Sequence, residues 1–311
     1  MRTLVCLLGI LGGLLLFGNT TYRRTDAAAV QLGRRLFMDS ILSEDYSLSC
    51  ASCHRPEFAF ADTSAVSVGV HGRKGVRNTP TAMNVTERLA LFWDGRAATL
   101  EEQALMPIAN PVEMNLPVDS AVARLQRHTE YPDLFMQAFG ELPSAATLGR
   151  ALAAFQRSLE TSSPYDRFMM GDSGAISESA KRGLLVFNEK GLCVECHFSG
   201  DLTGDEFRNI GLFDGQRFYD TGRFAITQDS ADLGKFKTPS LRNVAITAPY
   251  MHDGSFRTLR EVIDYYDRPD DIAPLHINRD TLLRRPLQLT EQEKQDLEAF
   301  LRTLTASQFL K

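Results

Sequence analysis

The sequence predicts an all-α fold of two similar domains with long loops, and three observations carry this. Apolar residues recur at helical spacing in well-separated segments, strand signals are weak, and a set of short motifs occurs twice in the same order. Ala27 to Phe37 carries Ala29, Leu32 and Leu36 at helical spacing, and Ser144 to Leu159 carries Leu148, Leu152, Phe155 and Leu159. The last helix opens on Thr290-Glu-Gln-Glu293, a capping box that satisfies free N–H groups of the first turn. It shows Leu297, Phe300, Leu301 and Leu304 on one face. The stretches from Gly69 to Pro80 and from Gly200 to Pro239 are rich in Gly and Pro and read as loops.

The repeat sets the domain organisation. Thr79-Pro-Thr-Ala-Met-Asn84-Val85 matches Thr238-Pro-Ser-Leu-Arg-Asn243-Val244, 159 positions on. Trp93-Asp94-Gly95 and Thr99-Leu100-Glu-Glu102 match His252-Asp253-Gly254 and Thr258-Leu259-Arg-Glu261 at the same 159-residue offset. Upstream, Gly33-Arg-Arg-Leu-Phe37 resembles Gly183-Leu-Leu-Val-Phe187. Each leads into a Cys-x-x-Cys-His motif: Cys50-Ala-Ser-Cys53-His54 and Cys193-Val-Glu-Cys196-His197. These motifs lie 143 apart, so the first half reaches its Asp-Gly segment by a route 16 residues shorter. Pro164, Gly171 and Gly174 interrupt the helical pattern between Ser162 and Ser177, which divides the chain into domains 21–168 and 169–311.

Cys-x-x-Cys-His spacing lets two thiols bond one haem's vinyl groups while the adjacent His ligates the iron. A structural zinc or a redox dithiol could use the cysteine pairs, but neither explains why His follows the second Cys both times. The expected cofactors are therefore two covalently bound c-type haems in two cytochrome-c-like domains, the Gly/Pro-rich loops wrapping the haem edges. Four of the five cysteines are used this way; Cys6 lies in an apolar leader, Leu4 to Phe17 after Arg2. Residues 1–20 read as an export signal, with a retained N-terminal tether as the alternative, and place the protein in a bacterial periplasm. With 43% hydrophobic and 23% charged residues, a net charge of -5 and no dense Lys/Arg cluster, the chain has a soluble globular composition and no nucleic-acid footprint.

Phe92-Trp93-Asp94-Gly95-Arg96-Ala97, Leu100-Glu-Glu-Gln103-Ala104, Asn110-Pro-Val-Glu113-Met114 and Pro249-Tyr-Met-His-Asp-Gly254 join the two haem motifs. The combination resembles the bacterial di-haem cytochrome c peroxidase family, which includes MauG, from about Ala27 to Leu304. The resemblance implies Gln103 and Glu113 in a distal pocket, Glu113 as acid/base, and Trp93 as an electron relay between the haems. The 159-residue offset pairs Pro107 with Tyr266, so a proline that cannot ligate iron faces the His54 haem and leaves it open to peroxide. At the His197 haem the family pattern points to Tyr266, the MauG-like choice where peroxidases have Met; Met251, His252, Tyr265 and His276 compete. Further expectations from the resemblance are a calcium ion held by the Asn78 side chain and the Thr247 and Pro249 carbonyls, and His71 as a removable sixth ligand. His71 stands one residue later than the pattern, which leaves it equally a loop histidine.

The implied function is reduction of hydrogen peroxide with electrons from a small cytochrome c or cupredoxin. The alternative, favoured by Tyr266, is MauG-like oxidation of residues in a partner protein. A non-catalytic electron carrier is disfavoured by Pro107, Gln103 and Glu113. A homodimer is left open.

Overall fold

The computed structural model describes residues 27–310; the expected leader lies outside the described residues. Helices α1 (Ala27–Met38), α2 (Cys50–Cys53), α3 (Leu100–Ala109), α4 (Val118–Arg127), α5 (Tyr131–Phe139) and α6 (Ala145–Arg157) come from the first half. Helices α7 (Pro164–Met169), α8 (Glu178–Asn188), α9 (Phe224–Thr227), α10 (Leu259–Asp267) and α11 (Glu291–Arg302) follow. The one sheet among the described residues lies in the Gly200–Pro239 loop, where β1 (Phe207–Arg208) pairs antiparallel with β2 (Phe236–Lys237). The fold is helix-rich with little strand, as expected.

Each predicted helix forms for the stated reason. Ser144 caps α6 by accepting from Thr147 N, and Thr290 caps α11 by accepting from Glu293 N. Helix α1 lays Leu32, Leu36 and Phe37 against Leu148, Leu152 and Phe155 of α6 in the first core. Fully burying a leucine of this kind contributes about 1.5–3 kcal/mol. Helices α8 and α11 form the second core, with Phe187, Leu297, Phe300 and Leu301 inside. Glycine permits both helix crossings. A Cβ on Gly33 would sit 1.9 Å from the Ala151 carbonyl oxygen, and one on Gly183 would sit 1.9 Å from the Asp296 carbonyl oxygen.

Pro164 begins a helix rather than interrupting one: it occupies the first turn of α7, where a missing N–H is harmless. Ser163 and Asp166 form a capping box there. Tyr165 packs edge-on to Phe300, ring centroids 5.4 Å apart, and Asp166 pairs with Arg242, so α7 belongs with the C-terminal core although it precedes residue 169.

The halves meet through reciprocal backbone contacts. Asn78 N donates to His252 O and Lys237 N donates to Trp93 O, both at 2.7 Å. The Gly95 turn, at φ +71°, presses on Phe207, and the Gly254 turn, at φ +67°, presses on the Ala65 backbone. Any side chain at either turn would collide, which explains Gly at both. Arg77 fastens the seam, reaching Asp94 at 2.5 Å and Asp220 at 2.7 Å.

Candidate functional site

Two cavities flank this seam. The N-terminal one, about 440 Å³, is lined by Cys50, Cys53, His54, Gln103, Pro107 and Glu113. The C-terminal one, about 260 Å³, is lined by Cys193, Cys196, His197, Met251, His252 and Tyr266. Asn78, Thr79, Pro80, Thr81, Val85 and Trp93 line both and make a common wall. Trp93 is held in it by its indole N–H, which donates to the Asn78 carbonyl at 2.9 Å.

The two motifs present their groups alike. His54 Nδ1 lies 3.0 Å from the Phe60 carbonyl, and His197 Nδ1 lies 3.0 Å from the Leu202 carbonyl. A carbonyl only accepts, so the proton sits on Nδ1 and Nε2 keeps its lone pair for a metal. Burial pulls both imidazoles below the usual histidine range, His197 to about 4, which keeps them neutral and ready to ligate. Burial also pushes the Cys50 and Cys193 thiols up to about 12 and Cys53 to about 11. Paired sulfurs, a neutral imidazole and a roomy cavity behind them fit a haem in each half.

One wall of the N-terminal cavity comes from α3 and the turn after it. Thr99 caps α3 by accepting from Glu102 N, and Gln103 and Pro107 stand one turn apart on the same helix. Asn110 ends α3 and its side-chain N–H donates to Glu113 Oε1 at 2.7 Å. Burial raises the Glu113 carboxyl above the usual glutamate range, the Asn110 bond and the Arg96 charge opposing. Arg96 lines the same cavity, stacked on Phe92 at 3.5 Å and bonded to Asp94.

At the C-terminal cavity the structure separates the tyrosines. Tyr265 is fully buried and donates to the Ile210 carbonyl at 2.6 Å. Tyr266, about 100° further round α10, lines the cavity; its hydroxyl makes no hydrogen bond among the described residues. Burial pushes its phenol well above the usual range. Met251 and His252 share the cavity, the latter stacked on Phe236 at 3.7 Å, whereas His276 does not line it and lies 4.0 Å from Asp270. Asn78, Thr247 and Pro249, the expected calcium ligands, come together on this cavity's wall. The Asn78 amide N–H groups turn to the Ser64 and Ala65 carbonyls, which leaves Oδ1 for a cation; a neutral oxygen set of this kind fits calcium.

His71 is not brought to the N-terminal cavity in this structure. It is half exposed, at φ +59°, with Nε2 2.9 Å from Glu44 Oε2 and Nδ1 3.9 Å from Asp45. The hydrogen bond to Glu44 holds the ring on the outer side of its loop. Sequence reasoning did not single out Asn110, Arg96 or Lys237 as lining residues; the first two stand inside quoted motifs, and Lys237 immediately precedes the repeated Thr-Pro.

A helical chain with two Cys-x-x-Cys-His cavities about one tryptophan wall defines a two-haem protein. The di-haem cytochrome c peroxidase profile matches residues 27–174. Methylamine utilization protein MauG of Methylophilus methylotrophus is 43% identical, covering 88% of this chain and 81% of that protein. Cytochrome c551 peroxidase of Nitrosomonas europaea is 34% identical, covering 91% and 81%. Among solved structures, a MauG-like protein associated with microbial copper homeostasis superposes with a TM-score of 0.82 at 39% identity, covering 92% and 91%. The di-haem peroxidase BthA of Burkholderia thailandensis superposes with a TM-score of 0.80 at 28% identity, covering 92% and 87%. The chain belongs to the di-haem cytochrome c peroxidase family that includes MauG, and so to proteins that carry two haems.

Proposed function

We propose that this chain is a periplasmic di-haem peroxidase that reduces hydrogen peroxide to water with electrons from a small redox protein. The observation that carries it is the meeting of Glu113, Gln103 and Pro107 in the cavity of Cys50, Cys53 and His54. Each haem is covalently held, by Cys50 and Cys53 with His54 as ligand, and by Cys193 and Cys196 with His197. Bound there, the haems supply an iron open to peroxide on the Pro107 side and a second iron that stores or passes charge.

The protein's own groups do the rest. Glu113 Oε2 takes the proton of the incoming peroxide and returns it to the departing oxygen, while Asn110 holds Oε1 in place. Gln103 orients the peroxide through its amide. Pro107 keeps the distal side free of a protein ligand. Trp93, in the wall common to both cavities, passes electrons between them. Tyr266 would ligate the second haem, His71 is either a removable ligand of the first haem or a loop histidine, and Asn78, Thr247 and Pro249 would hold a calcium ion. The two halves, 21–168 and 169–311, derive from one duplicated haem domain. Two contacts support this: Asn78 N donates to His252 O and Lys237 N to Trp93 O, the two donors lying 159 positions apart and the two acceptors likewise.

Tyr266 favours a second reading, oxidation of residues in a docked partner protein through Trp93. Purified di-haem protein given peroxide and reduced monohaem cytochrome c separates the two. Many turnovers of cytochrome oxidation per chain are expected. Peroxide consumption with negligible cytochrome oxidation contradicts the peroxidase and supports the second reading; no consumption sinks both.

A further inference from the structure

Lys237 lies in β2, its backbone N–H fixed on the Trp93 carbonyl at 2.7 Å. Its side chain lines the C-terminal cavity beside Phe236 and is only 12% exposed. An ammonium has three donors and no acceptor. Among the described residues it makes no hydrogen bond. Its ion-pair partner, Asp205 Oδ1, is 3.7 Å away, too far for one, and Asp205 is shared with Arg88. Burial lowers the affinity of Lys237 for its proton, the Asp205 carboxylate opposing. Arg208, the other cation in this cavity wall, is already bonded to Glu206 and Asp280. The residue 159 positions earlier is the neutral Asn78, whose amide is bonded to backbone carbonyls, so only the C-terminal cavity has a cation at this register.

We propose that Lys237 anchors a propionate carboxylate of the C-terminal haem, donating to it from the cavity wall beside Trp93. This rests on the reading that the cavity holds a haem. A buried ammonium whose one anionic partner is a shared carboxylate at 3.7 Å has donors to spare, and the propionates are the anionic groups a haem brings to such a wall. The bond fixes one haem edge at the wall common to both cavities, where Trp93 stands, and puts a cation at the register where the N-terminal half has the neutral Asn78.

Lys237→Gln and Lys237→Arg, made in the full chain with haems attached, test this by three readings: haem content, the propionate bending band in the resonance Raman spectrum, and the two midpoint potentials. K237Q is expected to keep two haems, move one propionate band toward weaker hydrogen bonding, and lower the C-terminal potential alone. The expected fall is at least a tenfold change in the oxidation equilibrium, about 59 mV for one electron. K237R, which keeps the charge and donors, is expected to stay near wild type. Two haems with both bands and both potentials unmoved in K237Q overturn the role of Lys237. Fewer than two haems in the wild type overturns the haem reading itself. If only K237R accumulates, a free-carboxylate band in both wild type and K237R contradicts the proposal.

Discussion

Glu113→Gln lowers peroxide consumption by about 10²–10⁴-fold, the usual contribution of a positioned acid/base group. Glutamine has the shape of glutamate, and its carbonyl can still accept the 2.7 Å bond from Asn110, so the cavity and the haem content are expected to remain as in wild type. What is lost is an oxygen that can take and return a proton. The pH profile adds a second sign. Burial raises the folded-state affinity of Glu113 for its proton, and the proposed first step needs the carboxylate form. The wild-type kcat/KM therefore falls as pH drops through that raised value, starting at higher pH than an ordinary glutamate would give. Steady-state peroxide consumption by wild type and E113Q over the acidic range checks both points. The acid limb is expected to vanish in the variant; an unchanged rate, or an unchanged limb, counts against Glu113.

The second large effect is on stability. Gly183→Ala and Gly33→Ala each place a methyl 1.9 Å from a backbone carbonyl oxygen of the partner helix. The next neighbours are Phe300 Cβ at 2.8 Å and Phe155 Cβ at 2.9 Å, so neither site can give way by turning a surface side chain. The helices must part, at a cost of about 1–3 kcal/mol or more, as overpacked cores show. A Gly200→Ala control has nothing within 4 Å of its new Cβ and is expected to change stability by less than about 0.5 kcal/mol. Denaturant unfolding of the holoprotein followed by circular dichroism compares the three. Equal midpoints for G183A and G200A would refute the close crossing.

These glycines show how far the sequence could be read. Gly33 and Gly183 could be matched as starts of similar segments, but their reason for being glycine lies in residues more than a hundred positions away. Local signals were legible because their physics is local. Thr290 and Glu293 cap their helix as the spacing predicts, and Leu36, Leu148 and Leu152 are buried as their periodicity requires. Pro164 shows how one residue carries two signals, since proline both breaks helices and begins them; it follows the end of α6 and opens α7, where Ser163 and Asp166 form the capping box.

The site was legible where chemistry demands a fixed motif, as in the two Cys-x-x-Cys-His segments, and where the repeat set Pro107 against Tyr266. Choosing Tyr266 over Tyr265 needs the rotation of α10 relative to Ile210, a contact across 55 positions. His71 sits outside its cavity because Glu44, 27 residues earlier, pairs with it. Lys237 escaped notice because an isolated lysine in a loop is usually solvated; only the β1–β2 pairing and the Trp93 bond turn it inward.

The central claim is that two similar cavities are unequal, one kept open by Pro107 and one closed by Tyr266. Electron paramagnetic resonance of the ferric holoprotein beside Tyr266→Met tests it most directly. The account predicts one high-spin and one low-spin haem in the wild type, with Y266M changing only the low-spin signal. Identical spectra for the two proteins, or a change confined to the high-spin signal, would contradict it.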